Sequence, residues 1–171
     1  MRLLVLVVLL AGAGWAATNE EGKTLLVRAA AMIGMVPPVI ELDIASVSRG
    51  LKQADVEGSF KDVRFRCGPE SGGLGDTVCD SPASLVNGMP AYGVAFFFVR
   101  GSVSSVRVAL QAKSSDRLAA YLKEQFPVGE WRTETLPSGK PLRVLSAPGG
   151  RLMTSEETSS LDELVVLWVP R

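Results

Sequence analysis

AYGVAFFFVRGSVSSVRVALQAKSSDRLAAYLKEQF, residues Ala91–Phe126, is the stretch that decides the predicted fold. The run Tyr92–Val99 is aromatic and β-branched, and the run Val103–Gln111 alternates between apolar and polar residues. Gly101-Ser102 between them suits a two-residue turn with glycine at the first central position. We therefore predict a β-hairpin, which forms the centre of the sheet.

That turn sets the register of the hairpin, because side chains alternate between the two faces of a sheet. The face that we expect to form the core carries Ala95, Phe97, Val99, Val106, Val108 and Leu110. The opposite face is mixed and carries Val94, Phe96, Phe98, Ser105, Arg107 and Ala109.

A helix is predicted directly after the hairpin, over Ser115–Phe126. Its apolar residues Leu118, Tyr121, Leu122 and Phe126 fall at helical spacing, and Ser114 or Ser115 can cap its start. Pro127 and Gly129 end it.

The remaining segments predict a single α+β domain, an antiparallel sheet with a central hairpin and two or three packed helices. Further helices are predicted at Thr24–Val36 and Lys52–Ser59. Further strands are predicted at Val39–Ile44, Lys61–Cys67, Trp131–Leu136, Leu142–Ala147, Arg151–Thr154 and Leu164–Val169.

The N-terminus is typical of a secretory signal peptide. Residues 1–16, MRLLVLVVLLAGAGWA, contain one arginine, an apolar run, and Gly14 and Ala16 at the −3 and −1 positions of a cleavage site. The single domain then spans 17–171, and we expect a periplasmic or secreted protein. Leu10-Ala11-Gly12 also resembles a lipoprotein signal, but Ala13 stands where the lipid-bearing cysteine would be, so no stable membrane anchor is expected.

Composition narrows the function classes. The 171 residues include 18 basic and 18 acidic side chains, so the chain lacks the basic excess of a nucleic-acid binder. It contains no histidine, which excludes Ser-His-Asp and Cys-His nucleophile systems and most transition-metal sites. No cofactor, metal site or catalytic residue is predicted. A hydrolase of the glycosidase type would need two carboxylates. We interpret the available acidic residues as solvated surface: Glu41, Asp43, Glu156, Glu157, Asp162 and Glu163.

Cys67 and Cys79 are the only cysteines, and we predict a disulfide between them. They are too far apart for a redox-active CxxC pair. Two thiols without histidine cannot complete a tetrahedral zinc site unless a carboxylate helps. The Gly-rich run between them lacks the strand and helix context of a phosphate-binding loop, so we interpret it as a flexible turn.

Two groups of side chains are candidates for partner binding. Arg64, Arg66, Arg100 and Arg107 could together bind an acidic ligand, although Arg107 is expected to lie across from Phe96 and to stack on its ring. Phe96 and Phe98 are expected on the hairpin face away from the helix. There they are either core, covered by the apolar segment Leu25–Val36, or a docking site for a protein partner.

From Ile44 to about Trp131, the chain resembles a group of small exported bacterial proteins of unknown function. The positions that carry this resemblance are Gly50, Asp55-Val56, Phe65, Cys67, Cys79-Asp80, Gly88-Met89-Pro90, Leu118, Leu122 and Phe126-Pro127. The resemblance implies a small α+β domain and export, without an activity. The expected arrangement of helices on an antiparallel sheet is also similar to the small lipoprotein of the outer-membrane assembly machinery and to secreted β-lactamase inhibitor proteins.

These observations favour a non-catalytic binding or assembly module of the periplasm with a protein partner. The alternatives are a hydrolase-type enzyme that uses carboxylates and a periplasmic inhibitor protein.

Overall fold

The structure is a computed structural model, and it describes residues 24, 27, 36–135, 141–155 and 162–171. Within these ranges there are two complete α-helices, α1 (Gln53–Ser59) and α2 (Ser115–Gln125). The strands are β1 Val39–Ile40, β2 Arg66–Pro69, β3 Thr77–Pro82, β4 Leu85–Val86, β5 Met89–Val99, β6 Ser102–Gln111, β7 Glu130–Thr135, β8 Pro141–Ala147, β9 Gly150–Ser155 and β10 Glu163–Pro170.

All ten strands belong to one mixed sheet with the main order β1-β4-β5-β6-β10-β9-β8-β7. Strand β5 is long enough to pair with β4 at its start and with β3 along the rest of the same edge, and β2 pairs with β3. The pair β1 and β4 is parallel, and the other pairs of strands are antiparallel.

The predicted α+β class is wrong, because the described residues are mostly β and hold one large mixed sheet rather than an antiparallel sheet with two or three packed helices. Strands β3 and β4 were not predicted. A two-residue strand such as β4 has no readable period, and β3 follows a Gly-rich run that suggested a loop. The segment Val39–Ile44 is a strand only in its first two residues, and Lys61–Cys67 becomes one only at Arg66.

Other predicted elements are confirmed. Both α1 and α2 lie where expected, the β7–β9 meander is present, and β10 lies inside the sheet between β6 and β9. The helix predicted at Thr24–Val36 falls outside the described residues except for Thr24 and Val27, which are helical, and Val36, which lies in a bend. The predicted signal peptide also lies outside them.

The hairpin forms, but its register differs from the prediction. The turn is Arg100-Gly101, with φ of 51° and 74°, and Val99 pairs with Ser102. This turn lies one residue earlier than Gly101-Ser102, which moves each cross-strand partner by two residues and by itself leaves the same faces together. A bulge at Ser104 then moves the partners by one residue, and this changes the pairing of the two faces. Phe96 therefore lies opposite Val106, and Arg107 lies opposite Ala95, so the predicted stacking of Arg107 on Phe96 is wrong.

The core combines the β5 residues of the face predicted to be mixed with the β6 residues of the face predicted to be core. It joins Phe96 and Phe98 of β5 with Val106 of β6, and Leu118 and Leu122 of α2 pack in the same cluster. Both helices and the segment 40–47 therefore cover one face of the sheet. The opposite face of β5 and β6 carries Ala95 and Arg107.

The turn offers a prediction of its own. Arg100 adopts a left-handed conformation that is costly for most L-residues but tolerated by asparagine, and Asn-Gly is the preferred pair for such turns. We expect Arg100→Asn to raise the free energy of unfolding by about 0.5–1 kcal/mol in urea denaturation. The exposed Arg64→Asn is the control for loss of charge. A destabilised Arg100→Asn protein would contradict this account.

The predicted disulfide is confirmed: Cys67 and Cys79 are bonded across β2 and β3, directly opposite each other with Cα atoms 4.0 Å apart. The same pairing sets the neighbouring residues of β2 and β3 in register. Among the described residues, no helix combines the length and apolar character that crossing a membrane requires.

Candidate functional site

A row of residues crosses four neighbouring strands on the face of the sheet away from the helices. Arg66 of β2 pairs with Asp80 of β3, Asp80 pairs with Ala95 of β5, and Ala95 pairs with Arg107 of β6. Residues directly opposite one another in a sheet project from the same face. The sheet therefore brings two arginines and an aspartate into one line, with an alanine between them.

The alanine leaves a cleft in that line. Neighbouring strands lie about 4.8 Å apart, so Asp80 and Arg107, which are two strands apart, are separated by about 10 Å of backbone. The short side chain of Ala95 lies between them and is 3% exposed. The resulting arginine cleft has a volume of 230 Å³, and its lining includes Arg66, Asp80, Tyr92, Ala95, Arg107 and Glu163.

The close approach of β3 and β5 at one end of the cleft depends on Gly93. A Cβ atom at this position would lie 2.6 Å from the carbonyl oxygen of Ser81, which is shorter than real contacts allow. Next to it, Tyr92 is the extra residue of a β-bulge between Ala91 and Gly93, and its side chain is 48% exposed. The bulge therefore leaves an aromatic ring at the rim of the cleft.

The charges of the cleft are unevenly satisfied. Arg66 donates to Asp80, with Nη2 2.6 Å from Oδ2, so each of these charges has a partner. No described residue forms an ion pair or a hydrogen bond with the side chain of Arg107, which is exposed. The cleft therefore presents one guanidinium that is available to an incoming acid.

The structure separates the residues predicted to bind a partner. Arg66 and Arg107 come together in the cleft, whereas Arg64 and Arg100 are exposed and do not line it. Phe96 and Phe98 are 0% and 1% exposed, and both lie within the core.

Asp80 and Tyr92 line the cleft, but sequence reasoning did not select them. A signal for Asp80 was available, because the antiparallel pairing of Cys67 with Cys79 also sets Arg66 opposite Asp80. Tyr92 reaches the rim through a bulge, and bulges leave no mark in the pattern of hydrophobic residues.

The Gly-rich loop between the cysteines uses its backbone donors internally. The N–H groups of Gly72, Gly73 and Leu74 all donate to the carboxylate of Glu70. These hydrogen bonds, that of Gly72 above all, hold the pKa of Glu70 below its ordinary value. The loop is a turn closed on its own acidic side chain, and these donors are occupied.

Comparison of the chain with protein-family models, with curated proteins and with solved structures finds no match.

Proposed function

We propose that this chain is an exported, non-catalytic binding module, and that its arginine cleft holds an acidic side chain of a protein partner. The observation that carries the proposal is the exposed guanidinium of Arg107, which has no partner among the described residues and stands beside a gap in the sheet surface. A guanidinium offers a rigid fork of donors that matches the two oxygens of a carboxylate.

The shape of the cleft favours a side chain over a whole small molecule. Its 230 Å³ fall below the roughly 300–1,000 Å³ of sites that enclose small ligands. Arginine and tyrosine are the residue types that contribute most to protein interfaces, and both Arg107 and Tyr92 are exposed here. The ion pair of Arg66 and Asp80 would form one wall and select against a second acidic group at that end.

Export is supported by the signal-peptide pattern of residues 1–16, by the resemblance to small exported proteins, and by the disulfide. A disulfide persists in oxidising compartments, so the cleft would meet its partner in the periplasm or outside the cell.

The proposal predicts selection of acidic peptides by this one arginine. Residues 17–171 would be used to select from a random seven-residue peptide library, and the dissociation constants of the enriched peptides would be measured by fluorescence polarisation. We expect enrichment of Asp or Glu and a loss of at least tenfold in affinity in Arg107→Ala, because a charge-assisted contact contributes about 1.5–3 kcal/mol. Arg64→Ala removes an equal charge outside the cleft and should bind like the wild type.

Enriched peptides without acidic residues would contradict the proposal, as would a library that yields no binder. Equal affinity for the wild type and Arg107→Ala would show that binding occurs elsewhere on the chain.

A further inference from the structure

The disulfide has a carboxylate beside it. One carboxylate oxygen of Glu57 and the two sulfurs of Cys67 and Cys79 all lie within 4.8 Å of one another. Glu57 belongs to α1, whereas the cysteines belong to β2 and β3, so the fold assembles this group from three elements. Two thiols in a chain without histidine need a carboxylate to approach a tetrahedral zinc site, and Glu57 is in place to supply it.

The distances between the sulfur and oxygen atoms of this group suit a small ion with tetrahedral coordination. Zinc binds thiolate sulfur at about 2.3 Å and carboxylate oxygen at about 2.0–2.2 Å, so neighbouring ligand atoms of one ion lie about 3.5–3.8 Å apart. Glu57 Oε1 already lies 3.8 Å from Cys67 Sγ. Breaking the S–S bond would let the two sulfurs move apart to the same spacing.

Gln53 lies close enough to this group to supply a fourth ligand. The side-chain amide of Gln53 lies one turn before Glu57 on α1, with Nε2 3.0 Å from Glu57 Oε1 and 3.5 Å from Cys67 Sγ. Rotation of this amide by half a turn would present its oxygen to the same point, and a water molecule could serve equally well. Cys67 and Glu57 are exposed whereas Cys79 is buried, so an ion would enter from the side of Cys67.

We propose that the reduced chain binds one thiophilic divalent cation, such as Zn²⁺, through Cys67, Cys79 and Glu57. A dithiol reductant would transfer two electrons and two protons to the disulfide and would itself become a disulfide. The cation then displaces the two thiol protons and binds the thiolates. Because the same sulfurs make the disulfide, oxidation and metal binding exclude each other, and the site is redox-gated.

The experiment compares the oxidised and the reduced chain, residues 17–171, with the metal alone. After reduction and anaerobic removal of the reductant, native mass spectrometry with Zn²⁺ should show one ion per reduced chain and none per oxidised chain. Titration with Co²⁺ should produce thiolate-to-metal charge-transfer absorption in the reduced chain only. We expect Glu57→Gln to weaken affinity at least tenfold and Cys67→Ser to abolish binding. Glu124→Gln, an exposed change on α2, is the matched control.

A reduced chain that is folded by circular dichroism but binds no ion would overturn the proposal. So would an affinity in Glu57→Gln equal to that of the wild type, because the carboxylate would then not be a ligand. If reduction unfolds the chain, Zn²⁺ should restore the native spectrum, and failure to restore it also overturns the proposal.

Discussion

Replacing Phe96 by alanine should lower the free energy of unfolding by about 3–5 kcal/mol, as removal of a large buried ring usually does. The side chain of Phe96 is fully buried, at 0% exposure. Its ring centroid lies 5.9 Å from that of Phe60 and 5.7 Å from that of Phe65, and the Phe65 contact is edge-to-face. Truncation would leave a cavity that a sheet and two further rings cannot easily close.

Urea denaturation monitored by circular dichroism would measure this loss. The matched control is Tyr92→Ala on the same strand, whose ring is 48% exposed and should cost under about 1 kcal/mol. If Phe96→Ala unfolds at the same urea concentration as the wild type, the three-ring cluster does not form in solution. The variant should keep its disulfide, which a non-reducing mass measurement can verify.

The sequence predicts the elements of the hairpin and the face of β6 that joins the core, but not the face of β5 that joins it. Alternation shows that two strands run together, but which of their residues share a face depends on the bulges as well as on the turn. Arginine rarely occupies a left-handed position, so Gly101 was expected at the first central place rather than the second. Two bulges, at Tyr92 and Ser104, add further shifts in register that alternation cannot reveal.

The rings that cover Phe96 were also difficult to predict. Phe60 follows a short helix, and Phe65 lies in the alternating segment Lys61–Cys67, which becomes a strand only at Arg66. Both reach Phe96 because the disulfide and the pairing of β2 with β3 bring that part of the chain beside β5. A long-range pairing of this kind is tertiary information, and the local pattern of residues does not contain it.

The sequence predicted only part of the arginine cleft, because the rest of it also depends on long-range strand pairing. Arginine was recognised on β2 and β6 as a residue type suited to acidic partners, and both Arg66 and Arg107 line the cleft. What made the site was the register that aligns them with Ala95 between, together with a bulge that exposes Tyr92. Residue type can therefore nominate a binding group, but only the strand pairing decides which groups share a surface.

The stability of the half of the sheet formed by β7 to β10 should depend on Trp168. Its side chain is 0% exposed on β10, and its ring stacks on Phe126 with centroids 5.5 Å apart. Its Nε1 donates to the carbonyl oxygen of Val47 at 3.1 Å, and a Cβ added to Gly150 would meet the ring at 2.6 Å. One side chain thus connects the end of α2, the β8–β9 turn and the segment before α1.

We expect Trp168→Ala to lower the free energy of unfolding by about 3–5 kcal/mol. Trp168→Phe should cost less, about 1–3 kcal/mol, because a ring remains but the carbonyl of Val47 loses its donor. The control is Trp131→Ala, since Trp131 is 39% exposed and contacts Arg143, whose Cζ lies 4.7 Å from the centre of its ring. Such an exposed cation–π contact contributes only about 0.5–1 kcal/mol.

Thermal and urea unfolding of the three variants would rank them, and tryptophan fluorescence provides an independent check. A buried indole emits at shorter wavelength than an exposed one, so loss of Trp168 should shift the mean emission of the folded chain to longer wavelength. Loss of Trp131 should shift it in the opposite direction. If Trp168→Ala and Trp131→Ala were equally stable, β10 would not anchor the segment before α1 to the sheet.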